Sequence, residues 1–149
     1  MPKFKTLNEA FTECQKDGCF IPTADSDETI IQSNIEIAEE SLESSDNDAK
    51  DNRWNSAYKS LYDSLHLLAE SFLIFDKVKS ANHQCLFAYI CTKHPEFEFS
   101  WDFFEKIRTK RNGINYYGKP VKKEDYKEVE LQAKVYIRTL KNVITKKVK

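Results

Sequence analysis

The sequence predicts an all-α protein, an up-and-down antiparallel bundle of four to five helices with a short N-terminal extension. Only 3 glycines and 4 prolines occur among its 149 residues, and β-sandwiches, barrels and doubly wound sheets need more turn residues than that. Apolar residues recur at alternating three- and four-residue spacings, which is typical of amphipathic helices. No GxGxxG or GxxxxGK[ST] motif is present, so glycine-rich phosphate loops are excluded.

The N-terminal extension covers residues 1–24 and is predicted to contain a short helix that Gly18 and Pro22 end. A helical bundle domain follows over residues 25–149. A chain of this length predicts one such domain with a core of its own.

The first helix of the bundle is predicted over residues 27–44. Asp25 and Glu28 are spaced as a capping pair. The apolar residues after them recur at spacings of 4, 3 and 4, on one face of a helix. The polar run over residues 44–48 is predicted to be a loop.

The clearest helical pattern runs from Trp54 to Phe75, where seven apolar residues alternate at spacings of 4 and 3. Such an unbroken stripe over about six turns predicts the central core helix. A shorter helix is predicted around residues 85–90, and Pro95 marks the break after it.

Two further helices complete the predicted bundle. One begins near Ser100 and ends at Gly118, which is followed two residues later by a proline. The last helix carries apolar residues at three- and four-residue spacings from Tyr126 to Val143.

The formal net charge is −1, but the charges are split along the chain, with mainly acidic residues early and mainly basic residues late. Residues 1–50 carry 4 basic and 12 acidic side chains, residues 51–102 carry 5 and 7, and residues 103–149 carry 14 and 5. The basic last third favours a face that attracts anions. An acidic helix packed beside a basic one would produce the same split.

The expected compartment is the cytoplasm. The first residues lack the apolar stretch of a leader, and the longest apolar run, Leu86–Cys91, is far shorter than a membrane span. No membrane partner is therefore expected. The four cysteines are expected to be reduced, buried or half-buried thiols; they are Cys14, Cys19, Cys85 and Cys91.

The sequence predicts no metal site and no cofactor. The cysteine spacings, C-x4-C and C-x5-C, differ from those of zinc knuckles. Among His66, His83 and His94, no pair has the spacing of metal ligands along the chain. His66 lies on the central helix and is predicted to be a packed core histidine.

The most informative segment is residues 106–118, where four cations, two asparagines and two tyrosines lie near the end of one helix. On a helical wheel, Arg111 falls at the rim of the apolar stripe, where its rigid fork suits phosphate. Tyr116 lies about 140° away from it on the same wheel. The two would then meet on one ligand only across a dimer interface, or where the helix loosens at Gly113 or Gly118.

This segment, Arg111-Asn112-x-x-x-Tyr116-Tyr117-Gly118, resembles the signature of the HEPN superfamily (higher eukaryotes and prokaryotes nucleotide-binding). Residues 57–72 resemble the long second helix of that family, residues 83–90 its short third helix, and the acidic helix 27–44 its first. The resemblance covers roughly residues 25–145.

The resemblance implies an all-helical homodimer that acts on RNA or a nucleotide. Many HEPN domains are metal-independent endoribonucleases of toxin–antitoxin, CRISPR and other defence systems, with an Arg-x4-6-His motif at the dimer interface. The implied catalytic residues are Arg111, Asn112 and Tyr116, and Tyr116 stands where the family has its histidine. Further binding residues are expected nearby; they are Arg108, Lys110, Asn115, Tyr117 and Lys119.

Three interpretations follow. The first is a ribonuclease that uses this motif. The second is a catalytically inactive HEPN module that binds a nucleotide, an RNA or a protein, including a partner nucleotidyltransferase that would adenylylate Tyr116 or Tyr117. Histidine exchanges protons near neutral pH and tyrosine does not, which favours the second. The third is a helical scaffold in which Arg111 only caps its helix or pairs with an acidic residue of helix 27–44.

Overall fold

A computed structural model describes residues 4–24 and 27–148, and it confirms the predicted all-α class. The elements are α1 (Leu7–Lys16), β1 (Phe20–Pro22), α2 (Glu28–Lys50), α3 (Trp54–Phe75), β2 (Val78–Ser80), α4 (His83–Lys93), a 3-10 turn (Pro95–Phe97), α5 (Trp101–Tyr117) and α6 (Lys123–Val148). Five helices belong to the bundle, and α1 belongs to the N-terminal extension. Within these described ranges, no helix combines the length and the apolar character that crossing a bilayer requires.

Polar side chains and one glycine set the ends of the helices. Asp25 lies outside the described residues, and α2 is capped by Asp27, whose carboxylate accepts hydrogen bonds from two backbone amides of the first turn. The helix α5 begins near Ser100 as predicted, and Ser100 caps it by accepting a hydrogen bond from the amide of Phe103. Gly118 ends α5 with φ 60°, a left-handed conformation that costs glycine little.

The prediction of a loop over residues 44–48 is wrong, because α2 continues to Lys50. Ser45 in this run is fully buried. Its hydroxyl donates to the carbonyl of Ala57 at 2.7 Å and lies 3.1 Å from the hydroxyl of Tyr126. A buried polar side chain with such partners is compatible with a packed helix, although the composition of the run resembles that of a loop.

The helix α3 is the centre of the bundle, as its apolar stripe predicts. It contacts α2, α4, α5, α6 and β2. Half of its residues are buried; they are Ala57, Tyr58, Leu61, Tyr62, Ser64, Leu65, Leu68, Ala69, Ser71, Phe72 and Leu73. Every other part of the bundle domain is therefore positioned, directly or through one neighbour, by packing on this helix.

A two-stranded antiparallel sheet, which the sequence did not predict, joins the extension to the bundle. Phe20 pairs with Ser80, and Pro22 pairs with Val78. Strands of three residues are too short to produce an alternating apolar pattern. The sheet and the packing of α1 on α4 make the extension part of the packed structure.

The prediction of four reduced cysteines is wrong for two of them, because Cys14 and Cys85 form a disulfide. The bond links α1 to α4 at a buried position. The expectation of reduced thiols rests on the expected cytoplasmic compartment. The sequence does not show that α1 packs on α4 and brings these two sulfurs together. Cys19 and Cys91 are free and half-buried, as expected. Burial raises the pKa of Cys91 to about 12, which keeps its thiol protonated at neutral pH.

Ion pairs connect the acidic helix α2 with the basic helix α6. Lys134 lies 2.7 Å from a carboxylate oxygen of Asp46, and Lys141 lies 2.7 Å from one of Glu39. The acidic helix thus packs beside the basic one. These pairs neutralise part of the basic last third of the chain within the molecule.

The disulfide is expected to stabilise the fold. Replacing both of its cysteines, Cys14→Ser with Cys85→Ser, should lower the free energy of unfolding by about 2–4 kcal/mol. The reason is that the bond joins positions 71 residues apart and so restricts the unfolded chain. Urea unfolding followed by circular dichroism measures the difference. The single variant Cys19→Ser is the control and should unfold like the unmodified protein. A double variant as stable as the control would contradict the prediction.

Candidate functional site

An open cleft of about 480 Å³ lies where the first turn of α4 faces the last turns of α5. We call it the motif cleft, because Arg111, Asn112 and Tyr116 all line it, together with Arg108. The α4 side is formed by residues 82–84, and Glu70 of α3 contributes a carboxylate. Although α5 is helical through Tyr117, the side chains of Arg111 and Tyr116 border the same cleft of one chain, without the loosening that the helical wheel required.

The guanidinium of Arg111 is held in place by an aromatic ring and an amide; the Asp63 carboxylate interacts with it electrostatically but forms no ion pair with it at contact distance. Its central carbon lies 4.9 Å from the centre of the Tyr62 ring, a cation–π contact. One terminal nitrogen donates to the side-chain oxygen of Asn112 at 3.1 Å, and the buried Nε has no hydrogen-bond partner among the described residues. No carboxylate of residues 4–24 or 27–148 forms an ion pair with it, so the pairing with helix 27–44, one of the two alternatives in the third interpretation, is not observed.

Arg108, in contrast, is neutralised by its own helix. Glu105 is only 2 % exposed and accepts two hydrogen bonds from the Arg108 guanidinium, at 3.1 and 3.0 Å. Gln84 of α4 donates a third at 3.1 Å. Glu105 was missed by sequence reasoning, although an acidic residue three positions before an arginine on a helix is a signal for such a pair.

The other predicted binding residues lie outside the lining of the motif cleft. Lys110 forms an ion pair with Asp125 at 3.2 Å. Asn115, Tyr117 and Lys119 are exposed at the end of α5, and the backbone amide of Lys119 caps that helix by donating to the carbonyl of Gly113. Of the eight residues predicted from the sequence, the cleft therefore collects four.

The first turn of α4 brings backbone donors to the cleft, which sequence reasoning also missed. The side chain of Asn82 caps the helix by accepting from the amide of Cys85 at 2.8 Å. The amides of His83 and Gln84, in the same turn, have no carbonyl partner within the helix, as at every α-helix start. They form the positive end of the α4 dipole.

Two histidines and a glutamate meet at the cleft wall. Nδ1 of His66 lies 3.5 Å from Oε2 of Glu70, and Nε2 of His83 lies 3.5 Å from the other oxygen, Oε1. The two imidazole rings are stacked, with centroids 4.3 Å apart. His66 is half-buried, and its buried Nδ1 makes no hydrogen bond with the residues that the structure describes. Ligand spacing along the chain did not predict this cluster, because its members come from α3 and α4.

Outward from this cluster, each imidazole contacts a second group. Nδ1 of His83 lies 2.9 Å from the hydroxyl of Tyr62, and Nε2 of His66 lies 3.4 Å from Asp63.

Burial disfavours the charged form of Glu70, but its interactions with the two histidines outweigh burial and lower its pKa to about 2. Burial also opposes a charge on His66, yet Asp63 and Glu70 outweigh it and raise the His66 pKa.

The buried carboxylate of Glu105 is expected to hold α5 against α4. Replacing Glu105 by alanine should lower the free energy of unfolding by about 3 kcal/mol, because Arg108 would lose its partner in a largely buried position. The matched control is Glu128→Ala, which removes an exposed ion pair with Lys106 and should cost at most about 1 kcal/mol. Urea denaturation of both variants tests the prediction, and equal losses would contradict it.

Comparison with known proteins identifies no relative. No protein-family model matches the chain, and neither the curated proteins nor the solved structures yield a match. The function is therefore inferred from the residues and geometry of the motif cleft.

Proposed function

We propose that the protein binds the phosphate groups of RNA or of a free nucleotide in the motif cleft, as a HEPN-like module. The observation that carries this proposal is the guanidinium of Arg111. It is positioned by Tyr62 and Asn112 but paired with no carboxylate of the described residues. A cation fixed in this way has hydrogen-bond donors available for an anionic ligand, and its fork matches the geometry of phosphate.

The first turn of α4 supports the same ligand. Its amides at His83 and Gln84 belong to the positive end of a helix of 11 residues, and both residues line the cleft opposite Arg111. Helix N-termini bind phosphate through such amides. A phosphate between α4 and α5 would then have donors on both sides.

The rim of the cleft suits a base. Tyr116 is 69 % exposed, and an exposed aromatic ring beside a phosphate site provides a surface on which an unpaired base can stack. Asn112 lines the cleft with an amide group that can hydrogen-bond a base edge. Together these features favour RNA or a nucleotide over a simple inorganic anion.

The geometry favours binding over cleavage. HEPN ribonucleases use a histidine near the arginine, and the histidine that lines this cleft is His83. Its two ring nitrogens face Tyr62 and Glu70, so neither is directed at a ligand bound to Arg111. We therefore propose the catalytically inactive form of the module, acting as the homodimer that the family resemblance implies.

Anisotropy titrations with a labelled single-stranded RNA of about 20 nucleotides and with labelled ATP test this proposal. Arg111→Ala should weaken binding at least about tenfold, which corresponds to losing one charged hydrogen-bonding group. Arg138→Ala removes the same charge from the exposed face of α6 and should have less than about a twofold effect. Arg111→Lys keeps the charge but loses the fork, and it should fall between the two.

Three further measurements complete the experiment. Thermal unfolding verifies that each variant is folded, and light scattering with and without RNA reports the homodimer. Gel electrophoresis of the same samples reports cleavage. Equal RNA and nucleotide affinity in Arg111→Ala and Arg138→Ala would overturn the binding proposal, and cleavage abolished by Arg111→Ala would establish the ribonuclease interpretation in its place.

A second candidate function is that of a substrate for a partner nucleotidyltransferase. The observation that favours it is the exposure of two adjacent hydroxyls, since Tyr116 is 69 % and Tyr117 71 % exposed. In that reaction a tyrosine hydroxyl attacks the α-phosphate of ATP, an adenylyl ester forms, and pyrophosphate leaves.

Mass spectrometry after co-expression with a nucleotidyltransferase encoded beside this chain tests this candidate. The expected result is adenylylation confined to the peptide that contains Tyr116 and Tyr117, and its loss when both are changed to phenylalanine. The buried Tyr58 and Tyr126 serve as internal controls and should remain unmodified. An unmodified Tyr116–Tyr117 peptide would contradict the candidate.

A further inference from the structure

We propose that His66, Glu70 and His83 form a binding site for a divalent transition metal, with Zn²⁺ as the ion that fits best. We call these three residues the His–Glu–His cluster. The site stands on its own geometry and does not depend on the proposed binding of RNA or a nucleotide.

The distances in the cluster leave room for a shared ion and are long for hydrogen bonds. One ligand atom from each residue can be chosen so that all three lie within 4.8 Å of one another. The two contacts between Glu70 and the imidazole nitrogens measure 3.5 Å each. That is longer than an ordinary N–H···O hydrogen bond. Donors bound tetrahedrally to Zn²⁺ at about 2.0–2.1 Å lie roughly 3.4 Å apart.

A buried nitrogen of the cluster makes no hydrogen bond. Nδ1 of His66 is inaccessible to solvent and has the Glu70 carboxylate at 3.5 Å, but it forms no hydrogen bond with the residues that the structure describes. Leaving such an atom unsatisfied costs roughly 1–3 kcal/mol. A metal ion that accepted its lone pair would remove this cost.

Each histidine is also oriented as a metal ligand is. Metal-bound imidazoles usually interact through their other nitrogen with an oxygen group, which fixes the tautomer and the direction of the lone pair. Here Nδ1 of His83 has the Tyr62 hydroxyl at 2.9 Å, and Nε2 of His66 has a carboxylate oxygen of Asp63 at 3.4 Å. If these nitrogens carry the protons, the opposite nitrogens present their lone pairs towards Glu70.

The donor set indicates the class of metal. Two imidazoles and one carboxylate suit Zn²⁺ and neighbouring ions such as Co²⁺ and Ni²⁺, whereas Mg²⁺ and Ca²⁺ prefer oxygen donors. Three protein ligands leave a fourth position for water or another ligand. Since Glu70 and His83 both line the motif cleft, we infer that this fourth position opens towards the cleft.

Calorimetric titration of chelator-treated full-length protein with Zn²⁺ tests the site. Co²⁺ serves as a spectroscopic probe, because its visible absorption reports four-coordination. The expected result is one metal ion per chain and a raised thermal midpoint. Glu70→Gln and His83→Gln should each weaken binding at least about tenfold, and Asp63→Asn, which removes the group behind His66, by about tenfold.

The controls separate this site from other metal-binding groups and from the proposed function. His94→Gln changes a histidine that pairs with Asp76 elsewhere, and Cys19→Ser removes a half-buried thiol. Both variants should bind Zn²⁺ like the unmodified protein. Arg111→Ala should also keep its metal while losing RNA or nucleotide affinity, so the two proposals can fail separately.

Two results would overturn the metal site. One is the absence of stoichiometric Zn²⁺ binding by folded, chelator-treated protein, which would leave His66 as a protonated bridge between Asp63 and Glu70. The other is unchanged affinity in both Glu70→Gln and His83→Gln. If His83→Gln is unstable, Glu70→Gln decides, because it nearly preserves the volume and removes only the ligand charge.

Discussion

The motif cleft depends on the side chain of Tyr62. This residue of α3 is fully buried; its ring faces the Arg111 guanidinium and its hydroxyl contacts Nδ1 of His83. Burial raises the pKa of Tyr62, so its hydroxyl stays protonated and uncharged at any physiological pH. One aromatic side chain of the central helix thus sets the positions of the cation from α5 and the imidazole from α4.

Two further contacts keep α4 and α5 at the distance that the cleft requires. Glu105 of α5, which pairs with Arg108 of its own helix, joins α5 to α4 by accepting a hydrogen bond from Gln84. On the other side of α4, Cys85 is bonded to Cys14 of α1 only two residues after His83. The N-terminal extension therefore helps to fix the first turn of α4, which provides the backbone donors of the proposed phosphate site.

The electrostatics of the cleft depend on the groups that line it and not on the net positive charge of the last third of the chain. Lys134 and Lys141 pair with acidic residues of α2, and Lys110 pairs with Asp125. Ion pairs of this kind reduce the long-range attraction that a net charge along the sequence suggests. Arg111 differs because its neighbours are an aromatic ring and an amide, and this difference is the basis of the proposed function.

The sequence by itself predicted the all-α class and singled out Arg111 as a candidate, because both depend on local patterns. Apolar spacing defined α3, and Ser100 and Gly118 marked the ends of α5. Tertiary structure decided the disulfide, the small sheet, the hydrogen bond from Gln84 of α4 to the buried Glu105 of α5, and the meeting of His66 with His83. These contacts join residues that lie far apart along the chain or on different helices. Their approach follows from how α1, α4 and α5 pack around α3, which periodicity and capping do not encode.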